Sequence, residues 1–96
     1  IQAEVIDVAT IKPLDMETII NSATKTGRCV IIHEAARNCG VGAEIAANLA
    51  EFCLTALVAP IKRVTGYDTI MPLYQLEEHY MTNASKILTA VHEVME

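Results

Sequence analysis

The run from Lys25 to Ile45, KTGRCVIIHEAARNCGVGAEI, constrains the fold more than any other stretch of the chain. Its centre is a continuous apolar run, Cys29, Val30, Ile31 and Ile32, with the length and β-branched content of a strand covered on both faces. Such a strand belongs in a parallel sheet, because crossover helices hide both of its sides from water. Gly27, just upstream, can take the left-handed conformation that closes a helix. Downstream, Gly40 and Gly42 bend the chain into an amphipathic run of small residues. A helix end, a buried strand to about His33, a turn and a helix start follow one another, and together they make a βα unit.

The flanking segments repeat that alternation. Glu4 to Val8 (EVIDV) alternates loosely and is rich in Val and Ile, so it reads as a strand running into a bend at Lys12-Pro13-Leu14. Asp15 is a suitable N-cap, and Met16, Ile19, Ile20 and Ala23 recur at helical spacing up to Gly27. A second helix is predicted from about Gly42 to Ala56, with Ile45, Ala46, Leu49, Phe52 and Cys53 on its inner face. Pro60 stops it, and Ile61 to Thr65 (IKRVT) reads as a third strand. Gly66 to Thr82 is irregular around Asp68 and Pro72, with one helical turn at Leu76 to Tyr80. Asn83 or Ser85 then caps a last helix whose inner face is Ile87, Leu88, Val91 and Val94.

Connected in a right-handed sense, these units predict an α/β fold in three layers, α/β/α, around a mostly parallel sheet. Three strands make a narrow sheet. The chain also begins abruptly at a strand and without an initiator methionine, as a piece cut from a longer polypeptide would. Residues 1–96 therefore read as a single truncated domain that lacks its N-terminal strand or strands, with partner strands expected upstream or from another copy.

Composition removes several classes of function. Twelve acidic against seven basic side chains leave a formal charge of −5, and no basic cluster exceeds Lys62-Arg63, so a phosphate backbone is repelled at long range. Phe52, Tyr67, Tyr74 and Tyr80 do not make a base-stacking platform, and nucleic acid is not an expected partner. Apolar runs stay far short of the ~18 residues of a membrane span, and Ile1-Gln2-Ala3-Glu4 lacks the basic start of a signal peptide. No membrane partner is expected, and a bacterial cytoplasm or a mitochondrial matrix fits. Cys29, Cys39 and Cys53 are odd in number and lack metal-type spacing, so they read as reduced thiols.

Short motifs do not assemble an active site. His33-Glu34-Ala35-Ala36-Arg37 starts like the zinc-protease helix pattern, but its last position is Arg37 and its first sits at a strand end, so two imidazoles cannot share one helix face. Gly40-Val41-Gly42 precedes a helix and could cradle a phosphate, yet Ile45 stands where a dinucleotide fingerprint has its third glycine; a tight turn with close helix packing is the simpler reading. Glu34 and Asp68 both fall just beyond the carboxyl ends of predicted strands, where open parallel sheets collect functional groups. His79 and His92 read as surface residues.

A resemblance extends beyond these motifs. EVIDVATIKPLDMETI, KTGRCVIIHEA, GVGAEIA and APIKRVTGYDT, with Pro72 shortly after, look like the C-terminal domain of the beta subunit of 2-oxo acid dehydrogenases, in the transketolase C-terminal domain family. The blocks occur in family order and spacing over nearly the whole chain. His33-Glu34-Ala35 and Gly66-Tyr67-Asp68-Thr69 resemble the branched-chain (2-oxoisovalerate) members more than the pyruvate members, whereas Ile70-Met71-Pro72-Leu73 lacks the aromatic and the histidine usual around that proline. The resemblance implies a thiamine diphosphate enzyme in an alpha2beta2 assembly, which decarboxylates a 2-oxo acid and acylates a lipoyl group. It implies that thiamine diphosphate and Mg are held by the alpha subunit and the N-terminal domain of the beta subunit, so that this stretch alone is inactive and binds no cofactor or metal. It further implies contacts to the alpha subunit and a second beta subunit, and docking of the subunit-binding domain of the dihydrolipoyl acyltransferase.

On that basis the small-residue surface of Gly40, Val41, Gly42, Ala43, Ala46 and Ala47 is either a subunit contact or close packing of the helix on its own sheet. Asp68, Glu93 and Glu96 are candidates for docking a basic partner, and Glu34 for the rim of an active-site entrance. Two other classes of function stay open: a domain of another transketolase-family enzyme, and a free-standing α/β module that binds a small ligand at its strand ends.

Overall fold

Asp15 opens the first helix as its side chain accepts a hydrogen bond from the Thr18 amide at 3.1 Å, and Gly27 closes it at φ 76°, with its own amide on the Ala23 carbonyl at 2.8 Å. A second bond from the Thr18 hydroxyl helps to hold the Asp15 carboxyl below its usual range. The computed structural model of the chain describes residues 1–70 and 76–96. Pro72 and Tyr74, both named above, lie outside the described residues.

The elements are α1 (Met16–Thr26), β1 (Val30–Ala36), α2 (Val41–Cys53), a 3-10 turn (Leu54–Ala56), β2 (Lys62–Gly66), α3 (Glu77–Tyr80) and α4 (Ala84–Met95). β1 and β2 pair in parallel, Val30 opposite Lys62, Ile31 opposite Arg63 and Ile32 opposite Val64, with an irregularity before Ala36 meets Gly66. Ile31 faces α1 and α2, in a core with Ile19, Ala23, Ile45, Leu49 and Cys53. Because strand side chains alternate, Val64, opposite Ile32, points to the other side of the sheet, where α4 packs and buries Ala90 and Val94. Helices therefore cover both faces of a parallel sheet, and the α/β class holds.

Several local expectations need correction. Glu4 to Val8 is not a strand: residues 1–10 have no regular structure, and Val5 is 90% exposed. A loose alternation makes a strand only where an edge receives it, and this segment is held instead by Glu4, which accepts from the Ser22 hydroxyl at 2.5 Å and pairs with Lys25 at 2.6 Å. The described sheet thus has two strands rather than three. β1 continues to Ala36, so Glu34 lies inside the strand and not beyond it. α2 stops at Cys53 and tightens into the 3-10 turn, leaving Phe52 at the margin of the buried stripe and 62% exposed. In α4 the inward face is Ile87, Ala90, Val91 and Val94, buried at Ala90 and Val94 and half-buried at the other two, which follow the i, i+3, i+4, i+7 spacing, while Leu88 lies one position round the helix and is 57% exposed. Asn83, not Ser85, caps α4, its side chain accepting from the Lys86 amide at 2.9 Å. At the far end the Arg28 Nε donates to the Val94 carbonyl at 2.8 Å, placing a cation at the negative end of the helix dipole.

Candidate functional site

Parallel pairing brings the carboxyl ends of β1 and β2 to one end of the sheet, so the loops that follow them meet there. The Asn38 amide donates to Asp68 Oδ1 at 2.7 Å, which ties the loop after β1 to the loop after β2. Two arginines interlock beside it. Arg37 Nη1 donates to the Arg63 carbonyl at 3.1 Å, and Arg63 Nη1 donates to the Arg37 carbonyl at 3.0 Å. The bend itself passes through Cys39 at φ 60° and reaches the N-cap Gly40.

His33 explains why that bend is built from glycine. Two residues beyond Ile31 on the strand, it points toward α2, with Nδ1 3.0 Å from the Ala35 carbonyl. In the tautomer that makes this a hydrogen bond, Nδ1 donates. Nε2 is then a buried acceptor without a partner among the described residues. A methyl group on Gly42 would lie 2.7 Å from Nε2, and one on Gly40 would lie 2.9 Å from the ring and 2.5 Å from the Ala36 carbonyl. The two glycines let the start of α2 close directly over the imidazole.

On the other face, Tyr80 is buried against Gly66, where a methyl group would meet its ring at 2.7 Å. Tyr67 meets Tyr80 edge-on at 6.4 Å between ring centres. The Lys86 ammonium sits 5.1 Å from the centre of the Tyr67 ring and donates to the carbonyls of His79 and Met81. Lys62 pairs with Glu93 at 3.1 Å. Tyr67, Lys86, Lys62 and Glu93 line an open groove of about 340 Å³ between β2 and α4.

The residues singled out by sequence fall into three places. Gly40 and Gly42 are spent on His33; Val41, Ala43 and Ala46 are half-buried on α2, and Ala47 is exposed. Asp68 and Glu93 line the groove, and Glu96 is exposed at the chain end. Glu34 is exposed on β1. The structure joins Asp68 to the bend after β1 and leaves Glu96 apart from it. Sequence reasoning missed the His33 wedge and the Arg37–Arg63 pair; a glycine at each contact, Gly42 and Gly66, was the available signal for large rings packed on backbone.

A diphosphate with its metal does not fit these residues. The glycine turn is filled by the imidazole, and among the described residues no three His, Cys, Asp or Glu side chains group around a metal position. Burial, with Cys53 beside it, pushes the Cys29 thiol up, so it stays protonated at neutral pH. No helix of the described residues is long and apolar enough to cross a membrane.

Comparison with known proteins bears on the whole chain. Residues 1–87 match the family model described as "Transketolase, C-terminal domain". The chain is 49% identical over its full 96 residues to the 2-oxoisovalerate dehydrogenase subunit beta of Pseudomonas aeruginosa, of which it covers 27%. It is 44% identical over 93 residues to the pyruvate dehydrogenase E1 component subunit beta of Staphylococcus epidermidis, and equally to that of Staphylococcus aureus, covering 97% of this chain and 29% of each relative. The chain thus spans less than a third of the length of the curated relatives it matches.

Proposed function

The chain belongs to the transketolase C-terminal domain family, and from that membership we propose that it is the C-terminal domain of the beta subunit of a 2-oxo acid dehydrogenase. The carrying observation is the end-to-end likeness, 49% over all 96 residues, to a protein named as a 2-oxoisovalerate dehydrogenase beta subunit. The branched-chain type is favoured over the pyruvate type by that identity against 44%, and by the His33-Glu34-Ala35 triplet.

In this reading the intact enzyme uses thiamine diphosphate and Mg, held on the alpha subunit and on other parts of the beta subunit. The present residues contribute assembly. The small-residue face from Gly40 to Ala47 meets a neighbouring subunit through Val41, Ala43, Ala46 and Ala47, since Gly40 and Gly42 are occupied by His33. Glu93 and Glu96, exposed at the end of α4, dock the basic subunit-binding domain of the acyltransferase, with Asp68 contributing the oxygen not taken by Asn38. Glu34, exposed on β1, borders the active-site entrance. Three free cysteines suit a reducing bacterial cytoplasm or mitochondrial matrix.

The test is co-expression of the full-length protein with the alpha subunit from the same source, followed by decarboxylation assays on 2-oxoisovalerate and pyruvate with an artificial electron acceptor. Thiamine diphosphate-dependent turnover that needs both chains and prefers 2-oxoisovalerate is the expected result. Failure of the two chains to co-purify, or turnover indifferent to the cofactor, rejects it.

A further inference from the structure

The chain carries a net charge of −5, yet four of its seven basic side chains, Arg37, Lys62, Arg63 and Lys86, line the one groove between β2 and α4. Only two carboxylates, Asp68 and Glu93, line it with them, so the groove is net positive on an acidic molecule. Both carboxylates are already engaged, Asp68 by the Asn38 amide and Glu93 by Lys62. Lys86 is held by two carbonyls and the Tyr67 ring. Arg37 and Arg63 remain without an acidic partner among the described residues, and their reciprocal main-chain bonds hold them as neighbours although like charges repel. Two planar guanidiniums fixed in this way match carboxylates, which each fork can grip through two oxygens.

The shape of the groove specifies an extended ligand. One wall is the whole of β2, whose only strand partner among the described residues is β1. The other wall is a single stripe of α4, Lys86, Thr89, Ala90 and Glu93, at i, i+3, i+4, i+7 spacing. An added strand would find main-chain partners along β2, apart from the Arg63 carbonyl that Arg37 holds, and cationic side chains along the groove, with Lys62 and Arg63 at the start of β2. The overall acidity of the chain disfavours a long phosphate backbone.

We propose that the groove between β2 and α4 binds an extended, acidic peptide segment of a partner protein, with Arg37 and Arg63 as its carboxylate clamps. This groove shares Asp68 and Glu93 with the docking surface proposed above but is opposite to it in net sign; the peptide assay below contains no acyltransferase, so failure of one reading is distinguishable from failure of the other.

The experiment uses the full-length protein that carries this domain and a fluorescein-labelled peptide alternating Glu with Val, with a Gln–Val peptide as control. Fluorescence anisotropy is expected to show saturable, salt-sensitive binding of the Glu peptide alone, weakened about tenfold or more in R37A/R63A. Carbodiimide coupling of the peptide to the unsubstituted protein should map to Lys62 or Lys86, which decides the matter even if the double variant does not fold. Unchanged affinity in a folded R37A/R63A variant overturns the proposal. So do coupling confined to Lys12 or Lys25, no binding of the Glu peptide, or tighter binding of inorganic polyphosphate or duplex DNA.

Discussion

Gly42 sits in the first turn of α2 at a position where alanine would ordinarily help, since alanine is favoured over glycine in helices by up to ~1 kcal/mol. Here the added methyl would stand 2.7 Å from His33 Nε2 and 3.0 Å from its Cδ2, on a ring that β1 holds in place. Overpacking of this kind costs about 1–3 kcal/mol, more than propensity returns. Gly42→Ala alone should therefore lower stability by roughly 1–2 kcal/mol. In a His33→Ala background the same change should be neutral or stabilising, giving a coupling energy of ~1 kcal/mol or more. Urea unfolding of the four proteins of this double-mutant cycle measures it, and additive effects would mean that the ring and the helix start do not press on one another. The glycine itself is the one local sign of this contact; its partner is not legible, because the strand register and the helix approach that bring His33 there are set by residues far from both positions.

The elements separate what is legible in a sequence from what is not. The βα unit from Gly27 to α2 could be read because each of its signals is local: a left-handed glycine, a β-branched run, a bend, an apolar spacing. The segment around Val5 has comparable composition and no strand, since a strand forms only by pairing and this segment pairs with none among the described residues. The facing of α4 is an intermediate case. The sequence narrows its N-cap to Asn83 or Ser85, but hydrophobicity alone puts Leu88 inside, whereas the stripe through Ile87, Ala90, Val91 and Val94 puts it outside. Substitution distinguishes the two assignments by magnitude. Leu49→Ala, at a fully buried position on α2, should cost about 2–5 kcal/mol. Leu88→Ala, of the same chemistry, should stay within about 0.5 kcal/mol. Thermal or urea unfolding reports both, and a Leu88 cost near that of Leu49 would reverse the facing of α4. The candidate site divides in the same way. Asp68 was legible from its place after a strand, but the engagement of its carboxylate by Asn38, and the Arg37–Arg63 pair beside it, depend on how two distant loops meet.

At the scale of the molecule, the governing fact is that the described residues form a parallel sheet of two strands under helices on both faces. Parallel pairs are ordinarily found inside larger, fully covered sheets, and isolated two-stranded pairs contribute little stability of their own. The described fold is correspondingly open: its radius of gyration is 13.8 Å, against about 12.5 Å for a compact domain of this length. Phe52 and Leu54, both 62% exposed, and Val58 at 66% leave apolar surface uncovered around the end of α2. Exposed apolar groups close together in the chain at an element end favour association over solvation. The 96 residues produced by themselves should therefore self-associate at micromolar concentration, and Phe52→Glu with Leu54→Glu should shift them toward monomer, because both changes charge surface without touching the Ile31–Leu49 core. Sedimentation velocity on the two proteins follows the shift directly. A monomeric parent with one sharp urea transition would show that two strands and this core suffice alone, and that the exposed face of α2 has no partner to seek.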